Sequence, residues 1–383
     1  MTLALEGFRI LDLSHALAAP SATKLLGDFG AEVVKVEAPE KGDFTRTLVP
    51  WVFDSFNRNK KSIAIDLKSA EGQQIIRDLA RVSDVVVQAF RPGVVESMKL
   101  ARDDLAAINP RLIYVSFSGF GQTGADAHRK GVDALVQAET GMTLMQNGLL
   151  GSLSYVDAAA GLALSGAIMA SLLKRERTGE VDHIEMSLFD VGMYLQTAPI
   201  LECSVTGSML DQVRHAARYP LSALFTAQDG PLYMGIYWDS DWRAWCELAG
   251  RLDLCDDPRF ATGADRGMNA AALRAEVEAV LAEHPRRYWI DGLESSGVMA
   301  GEVRTHQELL ASEQVRYHDS VEHLPTSRGA MGAYVRAPAR LSGQARRTAT
   351  PAPSVGEHSD AILEAAGISA ETRDDLRRRG IVS

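Results

Sequence analysis

Phe8-Arg9-Ile10-Leu11-Asp12-Leu13-Ser14, a helical pattern over residues 16–29, and Ala31-Glu32-Val33-Val34-Lys35-Val36-Glu37 together decide the fold. Ala22, Leu25, Leu26 and Phe29 fall on one face of the helix, and Gly30 stops it. Strand, helix and strand at this spacing make a βαβ unit, whose two strands must run parallel. Glu37, closing the second strand, stands where a dinucleotide-binding unit carries an acid. However, His15-Ala16-Leu17-Ala18-Ala19-Pro20 replaces the turn G-x-G-x-x-G, so nicotinamide and flavin chemistry are set aside.

The alternation continues outward. Residues 38–43 read as a loop, and the segment through Asp54 lacks clear periodicity. Strands are predicted at 63–67, 84–90 and 112–117, with helices at 69–81 and 103–108 between them. This predicts an α/β fold with a mostly parallel, doubly wound sheet, whose ligands bind beyond the carboxyl ends of the strands. His15, Lys68, Phe90-Arg91 and Gly119-Phe120-Gly121 then share one rim. Further on come a strand at 182–185, a helix at 187–201 and a linker-like stretch at 206–219. A second pattern follows, with strands 223–227 and 232–235 and helices 242–250, 270–283 and 288–295. It predicts a smaller α+β domain over roughly 222–318.

Bulk properties narrow the function. At 383 residues the chain exceeds the usual single-core size, so two domains are expected. A net charge of −10 argues against nucleic-acid binding. Three cysteines without paired or metal-ligand spacing suggest a reducing, cytoplasmic compartment. The nine histidines show no H-E-x-x-H spacing, so no metal site is expected. The start lacks the pattern of a secretory signal, and nothing is expected to span a membrane.

Ser154-Tyr155-Val156-Asp157-Ala158-Ala159-Ala160-Gly161-Leu162-Ala163-Leu164-Ser165-Gly166-Ala167-Ile168-Met169-Ala170-Ser171 is a single carboxylate ahead of a small-residue helix. Asp157 sits where an N-cap belongs. It is either a structural cap or a nucleophile that the helix dipole keeps ionised and its small neighbours leave open to approach.

Ordered blocks along the chain carry a resemblance. They are residues 7–13, 26–37, Asn57-Arg58-Asn59-Lys60-Lys61-Ser62 with Asp66-Leu67-Lys68, Phe90-Arg91-Pro92-Gly93-Val94, and Asn109-Pro110-Arg111-Leu112-Ile113-Tyr114. Gly119-Phe120-Gly121-Gln122-Thr123-Gly124, residues 175–179 and Pro351-Ala352-Pro353-Ser354-Val355-Gly356-Glu357-His358 complete the set. Together they resemble the class III coenzyme A transferases, a group that also includes α-methylacyl-CoA racemases. The resemblance implies a Rossmann-like large domain (1–205 and 335–383), a small domain (222–318), linkers at 206–221 and 319–334, and an interlocked homodimer. It implies Asp157 as the nucleophile that exchanges CoA between an acyl-CoA and a small carboxylic acid, with CoA as substrate and no resident cofactor. For CoA it implies His15, Leu17 and Ala18; Ile65, Asp66, Leu67 and Lys68; Ala89, Phe90 and Arg91; and Lys130, Gly131, Val132 and Asp133. Gly119, Phe120, Gly121 and the amides after Asp157 are the candidate oxyanion donors.

Departures refine the expectation. Racemases of this family carry G-H-D, whereas this chain has Gly131-Val132-Asp133, and Val132 cannot carry a proton. Residues 214–220 replace the glycine run of the formyl-CoA:oxalate enzymes. Leu17 replaces a Gln that those enzymes use near the active site, Ala38 replaces an Arg they place near CoA, and Ala19 stands where most relatives have Gly. Intermolecular CoA transfer is the expected activity, with an acyl-CoA racemase or isomerase as the alternative.

Overall fold

The structure, a computed structural model, describes residues 2–343 and 346–383. Six strands form one parallel sheet: β1 (Arg9–Leu13), β2 (Glu32–Glu37), β3 (Lys60–Ala64), β4 (Val85–Gln88), β5 (Ile113–Ser118) and β6 (His183–Ser187), in the order β3-β2-β1-β4-β5-β6. That is the doubly wound order, with its direction reversing between β1 and β4. Both faces of the sheet are covered, which explains near-continuous apolar runs such as Val85-Val86-Val87. On one face Ile10, Val33, Val87 and Val115 pack under the helices Ala18–Asp28 and Tyr155–Thr178. On the other, Leu11, Ile63, Val86 and Tyr114 pack under the helix Ala70–Arg81 and the C-terminal helices.

The Tyr155–Thr178 helix presents Val156, Ala160, Leu164, Ile168 and Leu172 to the core, every fourth residue along one stripe. It is 24 residues long, and its most apolar window has a mean hydropathy of 1.7. By length and composition it therefore matches a membrane span, contrary to expectation; its buried stripe is that of a core helix. A Cβ on Gly161 would stand 3.1 Å from the Ala18 carbonyl and closer still to Ser21 Oγ, so glycine lets the two helices cross backbone to side chain. Gly179 ends the helix at φ +77°, returning its amide to the Arg175 carbonyl.

The chain folds as two compact units, one of residues 2–142, 150–197 and 316–383, the other of 143–149 and 198–315. The second unit has its own core of Trp242, Trp245, Trp289, Phe225 and Phe260. Its antiparallel sheet comprises β7 (Ser222–Ala227), β8 (Gly230–Gly235) and β9 (Met299–Glu302). Both expected linkers are folded: 206–221 contains the helix Gln212–Arg218, and 319–334 forms most of the hairpin β10 (Val321–Pro325) and β11 (Met331–Val335) in the first unit. The helix predicted over 187–201 breaks into Leu188–Tyr194 and Thr197–Thr206, because Pro199 cannot continue a preceding helix. Helices Thr45–Leu48 and Pro50–Asn57 occupy the stretch without periodicity. The strand predicted at 63–67 runs instead over Lys60–Ala64, since Lys60 points into the protein as half of an ion pair.

Candidate active site

At the reversal between β1 and β4 two strand-end loops open apart. The loop after β1 carries His15 and the loop after β4 carries Phe90. The His15 ring lies 6.3 Å from Phe90 and 6.1 Å from Phe44. Crowding of the imidazole lowers its pKa, more than Asp43 and Asp12 raise it. Ala16 holds φ +69°, a left-handed conformation that costs a non-glycine residue about 1 kcal/mol. The helical pattern predicted from residue 16 starts only at Ala18, with Leu17 as its N-cap.

Two buried ammonium groups hold this loop from below. Lys35 Nζ donates to the Ser14 carbonyl at 2.9 Å and pairs with Asp43 at 3.1 Å. Lys60 Nζ donates to the Pro20 carbonyl, to Asn57 Oδ1 and to Asp12 Oδ2, each at 2.9 Å. Thr23 and Ser14 donate to the same Asp12 carboxylate. Burial alone would raise Asp12, yet Lys60, Lys35 and these hydroxyls hold it well below the usual carboxylate range. Burial, outweighing Asp12, pushes Lys60 down to about 8. The carbonyls of Ser14 and Pro20 bracket His15, Leu17 and Ala18, so the charges fix both ends of the loop.

Asp157 lies one helical turn before Gly161. It is not the N-cap: that position is Ser154, and Asp157 is the third residue of the helix. The cap is supplied from elsewhere, as Asp133 Oδ2 accepts the Asp157 amide at 2.9 Å. Gln137 donates to the other Asp133 oxygen, and its carbonyl accepts the Gly151 amide at 3.0 Å. The Ala158 amide is committed to the Ser154 carbonyl at 2.9 Å, which removes it from the candidate oxyanion donors. Asp157 itself is half-buried. The dipole does not keep its proton affinity low. Burial, then the Asp133 charge, push it up to about 7, outweighing the ~0.3–1 kcal/mol a helix N-terminus usually returns.

Asp133 is positioned by a glycine contact. A Cβ on Gly119 would lie 2.4 Å from the Gly131 Cα, and one on Gly131 would lie 2.3 Å from the Gly119 Cα. The β5 loop (Gly119, Phe120, Gly121) thus abuts the segment that leads into the helix Asp133–Glu139, whose first residue is Asp133. Gly121 turns at φ +91°, and Phe189 donates its amide to the Gly119 carbonyl at 3.0 Å. Val132, beside Asp133, is 62% exposed. Ile65 bridges to Val382, and the Asp66 amide bonds to the Ile381 carbonyl at 2.8 Å, so the C-terminus braces the 65–68 turn. Leu67 is half-buried, and the Lys68 amide bonds to Asp66 Oδ1 at 3.0 Å. Ala89 packs partly into the first core, and the Phe90 amide bonds to Gln88 Oε1 at 2.8 Å. Lys68, Arg91 and Lys130 are exposed, and none of them forms an ion pair among the described residues. No cluster of metal-ligating side chains occurs among the described residues.

The sequence profile of CoA-transferase family III matches residues 5–359. The chain belongs to CoA-transferase family III. It is 35% identical to the succinyl-CoA:glutarate CoA-transferase of Mus musculus, over 94% of this chain and 86% of that protein. It is 37% identical to the acetyl-CoA:oxalate CoA-transferase of Acetobacter aceti, over 77% and 79%. The crystal structure of a CAIB/BAIF family protein from Brucella suis superposes with a TM-score of 0.87 at 29% identity, covering 96% and 100% of the two chains. The protein is therefore a transferase enzyme, of a family whose members handle CoA thioesters.

In this family III enzyme, sequence reading missed the Asp12–Lys60–Lys35 group and the capping role of Asp133. Asp12 and Lys60 stand within two quoted blocks, but a lysine in a strand reads as a solvated charge until its neighbours are known. The Gly119–Gly131 contact yields a prediction. Gly131→Ala must displace backbone rather than a side-chain tip, moving Asp133 off the Asp157 amide. Misplacement by about 1 Å can cost on the order of 10²-fold in rate, and we expect kcat to fall by that order. An unchanged kcat would show that the contact does not position the site.

Proposed function

We propose that the enzyme moves CoA from an acyl-CoA to a small carboxylic acid, with Asp157 as the nucleophile. One observation carries the reading: a half-buried carboxylate with its amide held by Asp133, one turn before the glycine at which its helix meets Ala18 and Ser21. The Asp157 carboxylate attacks the thioester carbonyl, forming a mixed anhydride and expelling CoA thiolate. The thiolate attacks the aspartyl carbonyl, the donor acid leaves as carboxylate, and an aspartyl-CoA thioester remains. The acceptor carboxylate attacks that thioester, giving a second anhydride and thiolate. Thiolate attack on the acceptor carbonyl then releases the new acyl-CoA and restores Asp157. Gly119, Phe120 and Gly121 are the remaining candidates to hold the tetrahedral oxyanions.

His15, Leu17, Ala18 and the 65–68 and 89–91 turns are proposed to line the CoA channel, with Lys130, Gly131, Val132 and Asp133 beside it. The exposed cations Lys68, Arg91 and Lys130 suit its phosphates. Val132 in place of a proton-carrying side chain supports transfer over the racemase alternative. Apolar residues left exposed on the first unit (Leu162, Leu173, Tyr194 and Leu195) support an interlocked homodimer, and the three unpaired cysteines support a cytoplasmic setting.

The test is to incubate the protein with a panel of acyl-CoAs, quench with hydroxylamine or borohydride, and map the modified peptide by mass spectrometry. Modification of Asp157, dependent on the acyl-CoA, is expected. Turnover without any aspartyl adduct would overturn the mechanism, and a sedimentation mass of one chain would remove the dimer.

A further inference from the structure

The amino-terminal edge of the large sheet, opposite the β1/β4 crevice, holds a cavity of about 220 Å³ lined by Arg58, Arg336, Arg340, Arg346 and Arg347. Arg347 fixes its place in the fold, since Nη1 donates to the carbonyls of Gly27 at 2.7 Å and Ala31 at 3.1 Å, just before β2. Five guanidinium groups at one cavity are unexpected on a chain of net charge −10.

The local carboxylates do not balance them. Arg58 pairs with Asp28 at 3.0 Å and Glu322 at 2.8 Å, and Arg336 shares Glu322 at 3.1 Å. Arg346 pairs with Asp319 at 3.4 Å, which Arg336 also approaches at 3.5 Å. Asp28 is further shared with Lys24 at 2.7 Å. Arg340 and Arg347 form no ion pair among the described residues and bond only main-chain carbonyls there. Burial lowers the proton affinity of Arg347, as expected of a cation whose counter-charge is incomplete. Arg58 is 2% exposed, and its Nε has no hydrogen-bond partner among the described residues.

We propose that this cavity binds a small oxyanion carrying at least two negative charges, with Arg340 and Arg347 as the recognising residues. Guanidinium forks match carboxylate and phosphate oxygens in pairs, which gives such a ligand both charge balance and geometry. The volume is below the roughly 300–1,000 Å³ of drug-sized sites, so the ligand is of pyrophosphate or dicarboxylate size. The site is distinct from the CoA rim and does not depend on the mechanism proposed for Asp157.

The experiment is calorimetric titration of the full-length protein with inorganic pyrophosphate and, separately, with succinate, at matched ionic strength and with free CoA in excess. At least one probe is expected to bind at one site per chain, and which of them binds distinguishes a phosphate source from a carboxylate source. Arg340→Ala with Arg347→Ala should weaken that binding by about tenfold or more, while Asp157→Ala leaves it unchanged. Ala339→Glu gives an independent check: Ala339 lines the cavity and is exposed, so the fold tolerates the side chain, yet its carboxylate occupies the cation field. Binding unaffected by Ala339→Glu would overturn the proposal, as would no heat beyond the matched chloride control with either probe.

Discussion

Asp157→Ala is expected to lower kcat by on the order of 10⁴-fold or more, as loss of a covalent nucleophile does, while free CoA still binds. The wild-type pH profile should carry the same residue's signature. In the mechanism proposed above the attacking form is the carboxylate, and Asp157 is pushed up to about 7 by burial and by Asp133. kcat/KM should therefore rise with pH and reach half its plateau near pH 7. Asp133→Asn keeps an oxygen for the Asp157 amide but removes the charge, so the half-maximum should move to lower pH. The move should be partial, because burial is the larger cause. Stability runs the other way. A carboxyl group whose folded pKa exceeds its unfolded value favours the fold while protonated, and that contribution is lost as pH rises from about 4 to about 7. Asp157→Asn should consequently melt higher than wild type at pH 8, by roughly 1–2 kcal/mol of stability once partial exposure is allowed for. A flat pH profile, or wild-type turnover by Asp157→Ala, would remove the residue from the chemistry.

The second large effect is structural. Lys60→Met should destabilise the protein by about 3–5 kcal/mol, the usual consequence of stranding one member of a buried ion pair. Asp12 would keep Lys35 nearby but lose its 2.9 Å partner, and the Pro20 carbonyl would lose its donor. Combining Lys60→Met with Asp12→Leu should recover part of the loss, because no uncompensated charge then remains. The depressed Asp12 pKa gives the acid side of the same experiment. Its contribution is present above the ordinary carboxylate pKa and is lost as pH falls below it. Under conditions where Lys60→Met stays folded, CoA affinity should drop more than kcat, since the His15–Ala18 loop is held at both ends by these ammonium groups. A melting temperature indistinguishable from wild type would show that the pair is not part of the protein's support.

What the sequence determined by itself was periodic or local. The apolar runs of β1, β2, β4 and β5 and the helices between them specify a parallel sheet with its ligand rim beyond the strands' carboxyl ends, whereas the strand order, and with it the crevice between β1 and β4, comes from the folded sheet. The small-residue run after Asp157 announces a helix that must be approached closely, and Gly161 against Ala18 is that approach. What only the tertiary structure decided was set by groups distant in the chain. Asp133 reaches Asp157 across 24 residues and Lys60 reaches Asp12 across 48. Hence the cap that one reading of Asp157 supplied comes from Asp133, and the carboxylate that the other reading kept ionised by the helix dipole has its pKa pushed up to about 7 by burial and by Asp133. Burial and charge proximity are properties of the folded surroundings, so a residue's type and its immediate neighbours state what it can do. Only the packed neighbours fix its proton affinity and its partners.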